Sequence, residues 1–98
     1  VILHFKKALK LVNARRKEIG EKKLTQQKLG EILLPDKSYK AINYFWFYTN
    51  SGQRDTFEIN LINFACEVLE VDANFLFGQP SVYDEEFCKF FPPEAPEA

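Results

Sequence analysis

The thiol and imidazole side chains, which most often build tetrahedral metal sites, are few in this chain: two cysteines, Cys66 and Cys88, and one histidine, His4. Neither cysteine sits in a paired spacing, so a tetrahedral site would lack ligands and no metal is expected. No glycine-rich phosphate loop occurs, and no nucleophile stands at a recognisable spacing from a base, so we expect neither an enzyme, nor catalytic residues, nor a cofactor, nor a small-molecule substrate. Cys66 lies among apolar residues and reads as a small core hydrophobe, whereas Cys88 falls in the tail; a functional disulfide is not expected.

The chemistry that remains is that of charge. The net charge of -1 hides an uneven distribution: through Lys40 the chain carries eleven basic residues against four acidic ones, a balance of +7, and from Ala41 onward two against ten, a balance of -8. A basic half suits a polyanion, and an acidic half turned away from it would limit non-specific adhesion. The plainer reading is that helix surfaces are simply charged, and for any one lysine a solvated face is an equal alternative.

These residues must be positioned by one small domain. At 98 residues with 46% hydrophobic content the chain can bury a single core. No run approaches the ~18 apolar residues of a membrane span, and the start does not resemble a signal peptide, so a soluble, cytoplasmic protein is expected. The missing initial methionine and the linker-like end read as a part excised from a longer protein.

Periodicity divides the chain into helices. Phe5, Ala8, Leu9, Val12 and Ile19 form one stripe over residues 3–19, with Gly20 as the stop. Thr25 caps a short helix from Gln26, with Leu24 and Leu29 as a hydrophobic staple, Leu29, Ile32 and Leu33 inward, and Pro35 as its end. Asp36 or Ser38 caps a third helix through Ala41, Ile42 and Phe45. A β-hairpin competes there, because residues 42–48 are rich in strand-favouring aromatics and Asn50-Ser51-Gly52 is a good turn towards residues 56–59. Helix is preferred because Phe45, Trp46 and Phe47 are consecutive and leave no polar face. Asp55 with Glu58 opens a fourth helix over residues 56–70, with Phe57, Ile59, Leu61, Ile62, Phe64, Ala65, Cys66, Val68 and Leu69 in a broad apolar arc. Asp72 caps a fifth over residues 73–77, closed by Gly78. Tyr83, Phe87, Phe90 and Phe91 allow one more short helix before residues 92–98, whose composition is that of an extended linker.

Two short helices joined by a tight turn, with a basic helix before and an apolar one after, form a layout that lets a second helix enter the major groove. The chain here resembles the Cro and phage-repressor family of lambda-repressor-like (XRE) helix-turn-helix domains. Thr25, Gln26 and Leu29, then Ser38, Ile42 and Phe45, and later Leu61, Val71, Phe75 and Leu76 carry the likeness over residues 5–78. It departs at Gly30, where the family usually has alanine, at the glycine-free turn Leu34-Pro35-Asp36-Lys37, and in a longer segment over residues 46–54.

The resemblance implies an all-α, five-helix lambda-repressor-like DNA-binding domain over residues 3–78, with a C-terminal extension over 79–98. It implies a repressor-like transcriptional regulator that reads double-stranded DNA as a homodimer, with base-reading side chains at Tyr39, Lys40, Asn43 and Tyr44. Lysine can donate to guanine, asparagine can pair with adenine, and tyrosine can meet a thymine methyl or a phosphate. Gln26, Gln27, Lys28, Lys37 and Ser38 are the expected phosphate contacts, with Arg15, Arg16, Lys17, Lys22 and Lys23 as further candidates. The tyrosines could instead be rim residues of an aromatic cluster. An alternative function is an antitoxin-like adaptor that offers Trp46, Phe47 and Tyr48 to a protein partner.

Overall fold

The computed structural model describes residues 2–53 and 56–93, and these form six helices with no strand among them. The cap proposed at Asp55, the long segment's Arg54 and the linker-like residues 94–98 lie outside the described residues. No helix among those described is long and apolar enough to cross a membrane.

The first helix, α1 (Phe5–Glu18), buries Phe5, Ala8, Leu9, Leu11 and Val12. It ends one residue before Ile19, which therefore leaves the inner stripe and stands 69% exposed. Gly20 adopts φ +75°, a left-handed conformation open to glycine, and the Glu21 N–H closes back on the Arg16 carbonyl at 2.8 Å. Asn13 then fixes the chain's return: its amide donates to the Leu24 carbonyl at 2.9 Å and accepts from the Leu24 N–H at 2.7 Å.

In α2 (Gln26–Leu33) the Thr25 side chain accepts from the Lys28 N–H, and Leu24 and Leu29 both enter the core. Leu34 breaks the helix before Pro35, as the restriction on residues preceding proline requires. Ser38 caps α3 (Tyr39–Asn50). The hairpin alternative is overturned: Ile42, Phe45, Trp46 and Thr49 fall at helical spacing on one buried face, which leaves Tyr44, Phe47 and Tyr48 outside. Phe5 meets Trp46 edge-on at 5.1 Å and Phe45 at 6.3 Å, so the aromatic run contributes only some of its members to the core.

The two helices α2 and α3 meet along successive turns in opposite chain directions. Gly30 faces Ile42 and Trp46, and one turn earlier Gln26 accepts from the Asn50 side chain at 3.2 Å. On the buried face of α3 two polar atoms, Trp46 Nε1 and Thr49 Oγ1, find no hydrogen-bond partner among the described residues. A buried hydroxyl without a partner costs more than an apolar isostere of the same shape. Thr49→Val is therefore expected to raise stability by about 1 kcal/mol, read as a higher denaturation midpoint; a lower midpoint would show that the hydroxyl is bonded in solution.

Helix α4 (Ile59–Leu69) begins at Ile59, three residues later than the pattern indicates, with Glu58 as its cap residue. It buries Ile62, Ala65 and Leu69, but Ile59 at 73% and Phe64 at 41% exposure face solvent, so the inner arc is narrower than the apolar pattern. Cys66 is half-buried, and burial, helped by the charge of Asp72, pushes its thiol up and holds it neutral. Asp72 caps α5 (Ala73–Phe77) through the Phe75 N–H, and Gly78 closes it.

The last helix, α6 (Asp84–Phe90), returns to α1. Phe87 packs edge-on against Phe75 at 6.0 Å, Lys7 reaches Asp84 at 3.7 Å, and Arg15 grips Glu86 with two nitrogens at 2.9 and 2.8 Å. The same guanidinium donates to the Leu69 and Glu70 carbonyls at the end of α4, so one side chain fastens three helices. Carboxylates of α6 thus pair with cations of α1, so part of the acidic half lies against the basic half.

The Arg15 hydrogen bond, outweighing partial burial, holds the Glu86 carboxyl below the usual carboxylate range and raises the Arg15 guanidinium. A depressed carboxylate contributes stability that is present above its unfolded pKa, about 4.3, and lost as pH falls through the lower folded value. Because Glu86 is 38% exposed on its side chain, solvent screening keeps the bridge near about 1 kcal/mol. Glu86→Gln should thus be less stable than wild type at neutral pH, and the two should converge below about pH 4. Parallel melting curves across that pH range would expose a constant difference, which contradicts the assignment.

Candidate nucleic-acid interface

The exposed face of α3 is assembled from its first turns. Ser38 Oγ accepts from the Ala41 N–H at 3.2 Å and the Ser38 carbonyl from the Ile42 N–H, which leaves the Tyr39 and Lys40 N–H groups at the helix start without an intrahelical acceptor. Tyr39, Lys40, Asn43 and Tyr44 are all exposed on one side, opposite the buried Ile42, Phe45 and Trp46. All four expected base-reading residues are therefore brought together. The Lys40 ammonium lies 5.9 Å from the Tyr44 ring centre, and Tyr44 stacks on Tyr48 at 6.4 Å, which orders the side chains along the helix.

The expected phosphate contacts divide into two groups. Lys37 and Ser38 are exposed directly before α3 and adjoin its exposed face. At the start of α2, Gln26 and Gln27 are half-buried and Lys28 is exposed, its ammonium 3.8 Å from Glu31. Gln26 bonds Asn50, the last residue of α3, and so stands about 16 Å along the helix axis from Tyr39 at 1.5 Å per residue. That separation is comparable with the ~12 Å width of the major groove.

Among the further basic candidates, Arg15 is committed to Glu86 and the end of α4, and Arg16 donates to the Lys22 carbonyl at 3.0 Å. Lys17, Lys22 and Lys23 are exposed. Arg15 is thus a brace between helices and not a free phosphate partner.

Two features of the face escape the spacing argument. Phe47 at 60% and Tyr48 at 43% exposure extend it beyond Tyr44, and the three-to-four-residue step from Tyr44 is the signal that places them there. Trp46, expected beside them in an exposed aromatic anchor, is instead 3% exposed because it fills the space that Gly30 leaves open. Between α3 and α4 a hollow of about 720 Å³, lined by Tyr44, Tyr48, Leu61 and Phe64, borders the same face. No group of three or more His, Cys, Asp or Glu that could hold a metal ion occurs among the described residues. In comparison with known proteins, the chain matches no family model, no curated protein and no solved structure.

Proposed function

We propose that this chain is a lambda-repressor-like helix-turn-helix domain, five helices plus α6, that binds double-stranded DNA in a sequence-specific transcriptional regulator and reads the major groove with the start of α3. The observation that carries the reading is the joint exposure of Tyr39, Lys40, Asn43 and Tyr44 on one face of a helix whose other face is core. A helix-turn-helix reads only a few base pairs per copy, so a homodimer on a two-fold site is the working unit. Two carboxylates of the acidic C-terminal part, Asp84 and Glu86, are engaged with α1 and do not compete for the first turn of α3. The role is binding and not turnover.

The test is selection from random duplexes, followed by shift assays at two salt concentrations. Engagement of about six phosphates gives a fall in log affinity of about 0.9 per phosphate against log salt. A flat salt response, or no enriched sequence, ends the proposal.

The exposure of Phe47 and Tyr48 favours a second reading, an adaptor that presents this aromatic end of α3 to a protein partner. Phe47→Ala with Tyr48→Ala would remove that partner's binding, while changes at Lys40 and Asn43 would leave it in place.

A further inference from the structure

We propose that a groove between α1, the α1–α2 loop and the end of α6 docks an acidic segment of another protein, one that carries aromatic or leucine-sized side chains between its carboxylates. The hollow has a volume of about 1270 Å³, above the ~300–1,000 Å³ typical of small-molecule sites, which favours a stretch of polypeptide over a compact ligand. Its floor is apolar: Ala14 and the half-buried Phe90 and Phe91 complete a surface begun by Leu9 and Leu24. Its rim carries Lys6, Lys10, Lys17 and Lys23 against only Glu18 and Glu21.

Among the described residues the rim charges are not satisfied internally. The ion pairs formed among the described residues involve Lys7, Arg15 and Lys28, and none of these four lysines. Lys10 instead lies over the Phe91 ring at 4.6 Å, its stem covering apolar surface while its ammonium stays at the edge. Apolar floor and cationic rim together ask for a partner with both properties. A duplex backbone has the charge but would gain nothing from the phenylalanines. An amphipathic acidic peptide satisfies the floor through its side chains and the lysines through its carboxylates. Residues of α3 do not line the groove, so docking there is separate from the proposed reading face, although Gln26, Lys17 and Lys23 are shared with the candidate phosphate contacts.

The probe is a display library of random peptides of roughly twelve residues, the length of a few helical turns, selected on the intact domain. The selected peptides are then made with a fluorescent label and measured by anisotropy. The expected winners are net negative with interspersed Phe, Leu or Trp. Their affinity should fall at least about tenfold when Lys17→Glu and Lys23→Glu are combined, and again when Ala14→Trp fills the floor. Lys40→Ala with Asn43→Ala should leave it unchanged, which separates this proposal from the DNA reading. Unchanged helical circular dichroism and melting in the charge-reversed variant would confirm that the fold is intact, since Lys17 and Lys23 are exposed. Selection of uncharged or basic peptides, of none, or of peptides indifferent to Lys17 and Lys23 overturns the proposal. So does a result in which the same changes abolish binding to random duplex DNA or a self-association of the chain, and leave peptides unaffected.

Discussion

Replacing Lys40 and Asn43 together by alanine is expected to erase selective DNA binding while leaving the domain folded. Both side chains are exposed, and Lys40 reaches only the Tyr44 ring beside it on the surface, so neither holds the core together. A well-placed side chain that reads a base is worth about 1–3 kcal/mol of discrimination. Two of them removed at once amount to roughly 30-fold to 20,000-fold in affinity for the preferred duplex, while affinity for random duplexes falls only by the weaker phosphate share. Lys37→Ala makes the informative contrast. Taking one cation away from the phosphates weakens binding to all sequences alike and lowers the salt slope by about 0.9. A double variant that still prefers the selected duplex would move base reading off the start of α3 altogether.

The Lys40 and Asn43 pair and the Phe47 and Tyr48 pair discriminate the proposed functions by their pattern. If Lys40 and Asn43 matter to DNA and Phe47 and Tyr48 do not, the aromatic end of α3 is a flank of the interface. If the dependence reverses, the exposed aromatics are an anchor for protein, and the polar turn is its rim. The geometry makes the distinction clean, because the two pairs occupy different turns of one helix capped by Ser38.

Where local chemistry dictates structure, the sequence was readable to the residue. Thr25 and Pro35 bound α2 because one supplies an acceptor to free N–H groups and the other forbids continuation; Asp72 and Gly78 do the same for α5. The helix at residues 39–50 was legible but contested. Phe45, Trp46 and Phe47 satisfy strand propensity individually, and the decision falls to which of them find a core: two do, and Phe47 does not. The exposure of Phe47 agrees with its helical step from Tyr44, whereas Trp46, grouped with it in the aromatic segment, turns inward. Distances in sequence set the other limit. The burial of Trp46 depends on Gly30 sixteen residues earlier, and the retention of Arg15 depends on Glu86 seventy-one residues later. Neither partner can be deduced from spacing, because the pairing exists only once α2 lies along α3 and α6 returns to α1.

Gly30 is where this dependence is sharpest, and Gly30→Ala is expected to destabilise the domain by about 1–3 kcal/mol. Alanine is favoured over glycine in a helix interior by about 1 kcal/mol, so propensity alone predicts the opposite sign. The added Cβ, however, would meet Ile42 Cγ2 and come within 2.7 Å of Trp46 Nε1. Neither atom can yield cheaply. Ile42 is branched at Cβ and stiff about its first torsion, and the Trp46 indole is held edge-on by Phe5 and Phe45, each at 5.1 Å. The remaining route is for α2 to move away from α3, which loosens the Gln26 to Asn50 hydrogen bond and opens the seam beneath the reading face. For a domain of this size the loss should lower the melting temperature by roughly 5–20 °C. Placing Gly30→Ala on an Ile42→Leu background, which removes the β-branch, should reduce the penalty, because the coupling between the sites is steric. Were the single variant to melt at or above the wild-type temperature, the close packing of α2 on Trp46 would be wrong, and with it the placement of α3 on which the proposed reading face rests.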